Sequence, residues 1–220
     1  MILLIKILKV YLVNNMKKLL LITILVFSLN CFSQTIIPIY NTDIDQSGVY
    51  YKDTFNDYDK FVGTWKYTNG TTSLTITLQK KLHQSVTENN GTTYYMDFIV
   101  GGYKYIENGI EKINTLSQLS QSLNVIEYNL DGCSIFGPNS VFCLNCGPND
   151  RVLFLSFTDP NRYIEGFEPQ MLFKRVDSGG VQKLELNFRT ISGGWEEEGV
   201  TPQYTSYTVP FGTYILTKQP

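Results

Sequence analysis

The sequence predicts an all-β protein, an antiparallel up-and-down meander of about eight to ten strands that closes into a β-barrel. Two segments, Ser73–Gln79 and Lys183–Arg189, alternate apolar and polar residues without a break, as strands with one buried face do. Asn-Gly is the strongest short hairpin signal, because both residues tolerate the positive φ of a type I′ turn. Such pairs begin at Asn69, Asn90 and Asn108, each between strand-like segments. Closure is predicted because it removes the exposed edges of the sheet.

The other strands are predicted from segments rich in Tyr, Thr, Ile and Phe, residues that strands favour. The segments are residues 93–100, 103–107, 110–114, 152–157, 170–176 and 212–218. The last strand should pair with the first, near residues 61–67, and close the barrel. Gly101-Gly102 predicts a bend or bulge within a long strand. Residues 114–124 space three leucines by three and four positions and predict one short helix.

The N-terminus carries the pattern of a secretory signal peptide. Met16-Lys17-Lys18 precedes a short apolar run, and Ser33 offers a small residue for cleavage. The run is shorter than the roughly 20 residues that span a bilayer, so a membrane anchor is the weaker alternative, as is a lipid attached to Cys31. We expect residues 1–33 to be removed and the protein to be exported, to the periplasm or the cell exterior. Residues 34–60 are then a polar N-terminal extension, and residues 61–220 a single barrel domain.

The charge of the chain excludes one class of partner. The formal net charge is −2, and the predicted signal segment contains four lysines and no acidic residue, so the exported part is more acidic. An acidic protein does not attract the phosphate backbone, which argues against a nucleic-acid partner. No basic amphipathic helix is evident, so we do not expect the cleaved chain to be embedded in a membrane.

Three cysteines remain after cleavage at residue 33: Cys133, Cys143 and Cys146. Because export leads to an oxidising compartment, we predict one disulfide and one remaining thiol. A bond from Cys133 to Cys143 or Cys146 would close a loop of about 10 to 13 residues and contribute roughly 3 kcal/mol, although the sequence leaves the pairing open. Cys143 and Cys146 also form a CxxC motif, for which a metal or redox role is a weaker prediction. The single histidine, His83, is too distant in sequence to suggest a zinc site, and no α/β pattern surrounds the motif as in redox proteins.

The segment FVGTWKY resembles the first-strand motif of the lipocalins. It places Gly63 and Trp65 in a G-x-W pattern ahead of a meander. The resemblance implies a lipocalin-like β-barrel in which Trp65 closes one end and an arginine from a late strand, Arg175 or Arg189, packs over its ring. Residues 158–163, TDPNRY, partly match the second lipocalin motif, although a proline replaces the family's tyrosine. Plain core packing of Trp65 is the alternative.

The chain as a whole also resembles a family of uncharacterised secreted bacterial proteins. Two stretches, NTDIDQSGVYYKDTFNDYDKFVGTWKYTNG and FIVGGYKYIENGIEKINTLSQL, carry this resemblance. It implies export and a β-fold, and no particular activity.

Three further patterns indicate chemistry only weakly. Asp43–Gly48 spaces its oxygen ligands like the start of a calcium loop, but Thr54 stands where the final glutamate is expected. Glu196–Glu198 could supply paired carboxylates, yet neighbouring strand residues point to opposite faces. His83 lies in a polar segment, and the chain has no nucleophile-elbow motif. We therefore predict no enzyme activity, no cofactor and no metal.

The tyrosines are the last candidates for a binding role. Tyr103 and Tyr105 share one face of a strand, where they either pack in the core or line a pocket. The leading hypothesis is a secreted, non-enzymatic barrel that binds a small apolar ligand. The alternative is a surface or extracellular interaction module that recognises a glycan or a protein through exposed aromatic residues, and an exported hydrolase is third. A barrel interior filled by side chains would argue against the first.

Overall fold

The computed structural model describes residues 9, 11–20, 33–40, 46–144, 146–191 and 203–220. The chain divides into two compact units, Met1–Thr35 and Ile36–Pro220. In the first unit, residues 11–20 are helical and exposed. Within the described residues, no helix has the length and apolar character that crossing a membrane requires.

Strands are the main regular structure of the second unit. Among its described residues, three short 3-10 helices connect them, at Asp57–Lys60, Leu116–Ser120 and Val125–Glu127. The short helix predicted over residues 114–124 is thus a single 3-10 turn followed by extended chain. The strands are β1 (Ile36–Pro38), β2 (Tyr50–Lys52), β3 (Gly63–Asn69), β4 (Thr72–Thr87), β5 (Thr93–Glu107), β6 (Ile110–Asn114), β7 (Leu130–Phe136), β8 (Val152–Phe157), β9 (Pro169–Arg175), β10 (Lys183–Thr190) and β11 (Gly212–Lys218).

Eight of these strands close into an antiparallel barrel, as the sequence predicts. Their order is β5-β4-β3-β11-β10-β9-β8-β7, and β7 returns to β5. The predicted pairing of the last strand with the first is present, because Lys218 of β11 lies opposite Trp65 of β3. The barrel closes where Ile99 of β5 lies opposite Gly132 of β7.

Strand β5 organises the strands outside the barrel, since its 15 residues pair with different partners along its length. Its first part binds β2 in parallel, its middle pairs with β7, and its end forms a hairpin with β6. Strand β1 adds to β2, also in parallel. The segment at residues 34–60, predicted as a polar extension, therefore supplies two strands and a 3-10 helix. Tyr51 and Tyr58 within it are fully buried, so that prediction needs correction.

Bulky side chains fill the interior of the barrel. Inward positions on every barrel strand carry apolar or aromatic residues that pack in one continuous cluster. The members of this cluster that lie on barrel strands and are fully buried are Trp65, Leu74, Ile76, Leu78, Ile99, Tyr103, Leu130, Leu153, Leu155, Met171, Phe173, Leu184, Leu186 and Leu216.

All three Asn-Gly pairs lie at hairpins, but only the third pair forms a two-residue turn by itself, and the β4–β5 loop that contains Asn90 spans residues 88–92. Asn108 and Gly109 have φ values of 52° and 79° and form the two-residue loop between β5 and β6, as a type I′ turn requires. At the first hairpin Asn69 instead pairs with Thr72, so the loop is Gly70-Thr71.

The two adjacent glycines of β5 do not produce the predicted bulge, and the β4–β5 register is regular there. A Cβ at Gly101 would lie 2.7 Å from Leu78 Cδ2, and one at Gly102 would lie 3.0 Å from the Thr115 carbonyl oxygen. Glycine is needed here for close packing. The irregularity of this pair lies at Lys81–Gln84 of β4.

Candidate functional site

Trp65 lies at one end of the barrel beneath two cationic side chains. Its ring is fully buried, and its indole Nε1–H donates a hydrogen bond of 2.6 Å to the Phe61 carbonyl oxygen. The Arg175 guanidinium lies 5.3 Å from the ring centroid, and Lys218 Nζ lies 4.4 Å from it. Such cations are attracted to the negative face of an indole ring.

The two cations over Trp65 are fixed by their other contacts. Arg175 donates to the Lys60 carbonyl oxygen at 2.7 Å and pairs with Asp177, while Lys218 Nζ donates to the Val62 carbonyl oxygen. Burial, and then the nearby charge of Arg175, lowers the pKa of Lys218. This end of the barrel is covered by protein side chains, and Trp65 has a structural role.

The structure distinguishes the two arginines that the lipocalin resemblance left open. Arg175, on β9, packs over Trp65. Arg189, on β10, lies on the outside of the barrel, where its guanidinium is 5.3 Å from the Phe142 ring centroid. The second partly matched motif forms a turn, in which buried Asp159 accepts hydrogen bonds from the backbone N–H groups of Asn161 and Thr208.

Tyr103 and Tyr105 both point into the barrel and are buried in its core. The Tyr103 hydroxyl donates to the Thr158 carbonyl oxygen at 3.1 Å, and burial raises the pKa of this phenol well above its usual value. The two side chains are part of the packed core of the barrel.

A pocket of about 190 Å³ lies on the outer face of β9 and β10, and we call it the outer groove. Its wall is the loop between β7 and β8, and its floor is the sheet. Apolar and charged residues alternate around it: Val141, Phe142, Val152, Leu172, Lys174, Glu185, Asn187 and Arg189. The lining residues on β8, β9 and β10 lie in segments that the sequence predicts as strands, but Val141 and Phe142 had no signal, because no sequence pattern shows where a loop will fold back.

The disulfide lies within this loop, which packs on the sheet through Cys143. Cys143 bonds to Cys146, with Cα atoms 5.2 Å apart, and Cys143 packs on Val152 and Leu172. Cys133 lies on β7 and is a free, half-buried thiol, so neither of the two pairings considered for it is present. Burial raises the pKa of that thiol. The prediction of one disulfide and one thiol is confirmed, with a different pairing.

Charges in the outer groove are arranged in register across the sheet. Glu185 lies opposite Lys174, and Arg189 lies opposite Gln170. Lys174 forms an ion pair of 3.2 Å with Asp150. Among the described residues, neither Glu185 nor Arg189 makes an ion pair. Strand β10 therefore presents a carboxylate, Glu185, and a guanidinium, Arg189, on one face of the groove, with Asn187 between them.

His83 belongs to a second polar cluster, at the irregular part of β4. It has a φ of 53° and stacks on Tyr95, with ring centroids 4.2 Å apart. The buried carboxylate of Asp97 accepts the His83 backbone N–H at 3.0 Å and the Tyr50 hydroxyl at 2.5 Å. Burial, followed by this bond to Asp97, raises the pKa of Tyr50. Through these contacts Asp97 of β5 binds both Tyr50 of β2 and His83 of β4.

A neighbouring set of carboxylates anchors the 3-10 helix at Asp57–Lys60. Asp53 accepts the backbone N–H groups of Asp57 and Tyr58 at 3.0 and 2.8 Å. The Asp57 carboxylate is buried, which opposes its ionisation, but bonds from Lys60, Arg151 and Tyr40 outweigh burial and lower its pKa.

The described residues contain no group of three or more His, Cys, Asp or Glu side chains placed to hold a metal ion. Asp43, Asp45 and Glu196–Glu198, parts of two weaker predictions, lie outside the described residues.

One family profile covers nearly the whole chain. The model of a family of unknown function, DUF6705, matches residues 16–219. The chain belongs to this family. The match agrees with the resemblance to an uncharacterised family seen in the sequence. No curated protein and no solved structure is detectably similar to this DUF6705 chain.

Proposed function

We propose that the protein is an exported, non-enzymatic binding module that recognises its ligand on the outside of the barrel. One observation carries this proposal: bulky side chains fill the barrel interior, whereas the outer groove combines apolar and charged residues around an open volume. The small apolar ligand of the leading hypothesis would need interior space that these side chains occupy. The alternative, recognition through exposed groups, fits the geometry better.

The lining of the outer groove favours a ligand with both apolar and hydroxyl-bearing surfaces. Phe142 and Leu172 offer apolar surface, while Glu185, Asn187 and Arg189 offer hydrogen-bond acceptors and donors. A volume of about 190 Å³ is below the roughly 300–1,000 Å³ of pockets for drug-sized ligands. The groove suits one ring of a larger glycan, with the rest of the chain in solvent.

Export is supported by the N-terminal pattern and by the cysteine chemistry. A disulfide between Cys143 and Cys146 persists in oxidising compartments and is rare in the cytosol. The bond also lies next to Phe142 in the loop that forms the wall of the groove.

A glycan array tests this proposal. The exported protein should bind at least one class of glycan, and Phe142→Ala should abolish binding. Phe55→Ala is the matched control, because Phe55 is an exposed phenylalanine outside the groove, and this variant should bind normally. An array without hits, or binding that Phe142→Ala leaves intact, would contradict recognition at the outer groove.

A further inference from the structure

We infer that the outer groove binds a single hexuronic-acid residue of a glycan, with the sugar carboxylate on Arg189. This inference rests on the proposed function and specifies its ligand. Its basis is the polarity of the groove. Arg189, which makes no ion pair among the described residues, lies at one end, Glu185 lies at the other end opposite Lys174, and Asn187 lies between Glu185 and Arg189.

Arg189 is the groove's available cation. Its side chain is exposed, and among the described residues its contact is the face of Phe142. Lys174, the second cation, is already paired with Asp150. A guanidinium presents its donors in a planar fork that matches both oxygens of a carboxylate. An anionic group entering the groove is therefore expected to bind at the Arg189 end.

Glu185 and Asn187 favour hydroxyl groups at the other end of the groove. They alternate with buried residues along β10, so both lie on the same outer face as Arg189. An ionised carboxylate only accepts hydrogen bonds, and an amide both donates and accepts. Sugar hydroxyls satisfy such groups, whereas a second carboxylate would be repelled by Glu185. The groove thus fits a ring that carries one carboxylate and, across from it, free hydroxyl groups.

The apolar residues complete the match to a sugar ring. Phe142 and Leu172 contribute to the wall and floor, and the volume of about 190 Å³ limits the occupant to one ring-sized group. Burying the C–H face of a pyranose on this surface removes apolar area from water. The half-open shape lets neighbouring residues of a polysaccharide leave the groove at either end.

An NMR titration of the exported protein with two probes tests the inference. The probes are tri-galacturonate and its methyl ester, which share the sugar rings and differ in the charge. The wild type should bind the acid about 10- to 100-fold more tightly, the range expected for hydrogen bonds to a charged group. Arg189→Gln should remove that preference. Arg162→Gln is the matched control, because Arg162 also packs over an aromatic ring, that of Tyr204, outside the groove.

Three results would overturn the inference. Equal binding of acid and ester, weakened by Phe142→Leu, would replace the acidic sugar with a neutral glycan and leave the proposed function standing. An acid preference that survives Arg189→Gln would place the carboxylate elsewhere. Binding of neither probe would exclude the uronic acid, and the glycan array would then decide whether the proposed function also fails. Unchanged melting temperatures verify that both arginine variants are folded.

Discussion

Gly63 has a φ of 117°, and a Cβ at this position would lie 2.5 Å from Lys218 Nζ. Alanine at position 63 must therefore adopt a backbone conformation that L-residues rarely occupy and must displace a cation from Trp65. We expect Gly63→Ala to cost about 1–3 kcal/mol and to change the fluorescence of buried Trp65. Gly70→Ala is the control, because Gly70 also has positive φ but no atom within 4 Å of the new Cβ. If urea unfolding shows the same loss in the free energy of unfolding for both variants, the close fit between Gly63 and Lys218 is ruled out.

Asp131 on β7 gives a prediction about pH. Burial raises the pKa of this carboxyl to about 6, above the value of about 3.9 in an unfolded chain. The folded state therefore holds the proton more tightly, and the resulting stability is present below about pH 4 and lost as the pH rises to about 6.

Asp131→Asn is uncharged throughout this range. Because Asp131 keeps partial access to water, we expect a gain of about 1 kcal/mol at pH 7, or about 2–4 °C in Tm. The variant should also lose the decline in Tm between pH 4 and 6 that the wild type shows. Glu165→Gln, at an exposed glutamate without an ion pair among the described residues, controls for the change in net charge. A variant whose Tm falls at pH 7 would show that the Asp131 carboxylate is stabilised by its surroundings.

The loop between β7 and β8 is the element whose chemistry is most directly testable. The Cys143–Cys146 bond encloses a short loop, so it contributes about 2 kcal/mol in the chain-entropy model. Iodoacetamide should label the native protein slowly, because the remaining thiol, Cys133, is half-buried with a raised pKa. After denaturation without reduction, peptide mapping should find the label on Cys133. A label on Cys143 or Cys146 would contradict the pairing, and a labelled Cys31 would contradict cleavage after Ser33.

The same elements show how far sequence reasoning reaches. The alternation of Lys183–Arg189 correctly predicts β10, and Asn108-Gly109 correctly predicts its turn, because both signals are local. The parallel pairing of β2 with β5 has no such signal, since Tyr50–Lys52 is three residues long and depends on a distant partner. The disulfide pairing and the position of Phe142 likewise depend on how a long loop folds back. The outer groove could therefore not be predicted as a whole, although its lining residues on β8, β9 and β10 lie in predicted strands.

At the scale of the whole molecule, the barrel and the segment before it share their buried contacts. Tyr58 packs in the main core, and its hydroxyl donates to the Cys133 carbonyl oxygen at 2.6 Å. Tyr51 packs in a second apolar cluster with Met96 and Phe98 of β5. Asp57 also binds Arg151, 94 positions along the chain. Residues 36–60 therefore cover part of the barrel wall and act as part of the same folded unit.

Removing this segment gives a decisive comparison. Truncating a large buried side chain to alanine costs about 2–5 kcal/mol, so losing the fully buried Tyr51 and Tyr58 together is comparable to a whole domain's stability of about 5–15 kcal/mol. We expect a chain of residues 61–220 to lack a cooperative thermal transition by near-UV circular dichroism. A chain of residues 34–220 should melt in one transition. If both chains melt within a few degrees of each other, residues 34–60 are a separable extension, and their contacts contribute little to the barrel. Tyr58→Phe in the longer chain refines the result, because it removes only the hydroxyl, with its bonds to the carbonyl oxygens of Cys133 and Asp97, and should cost only about 1 kcal/mol.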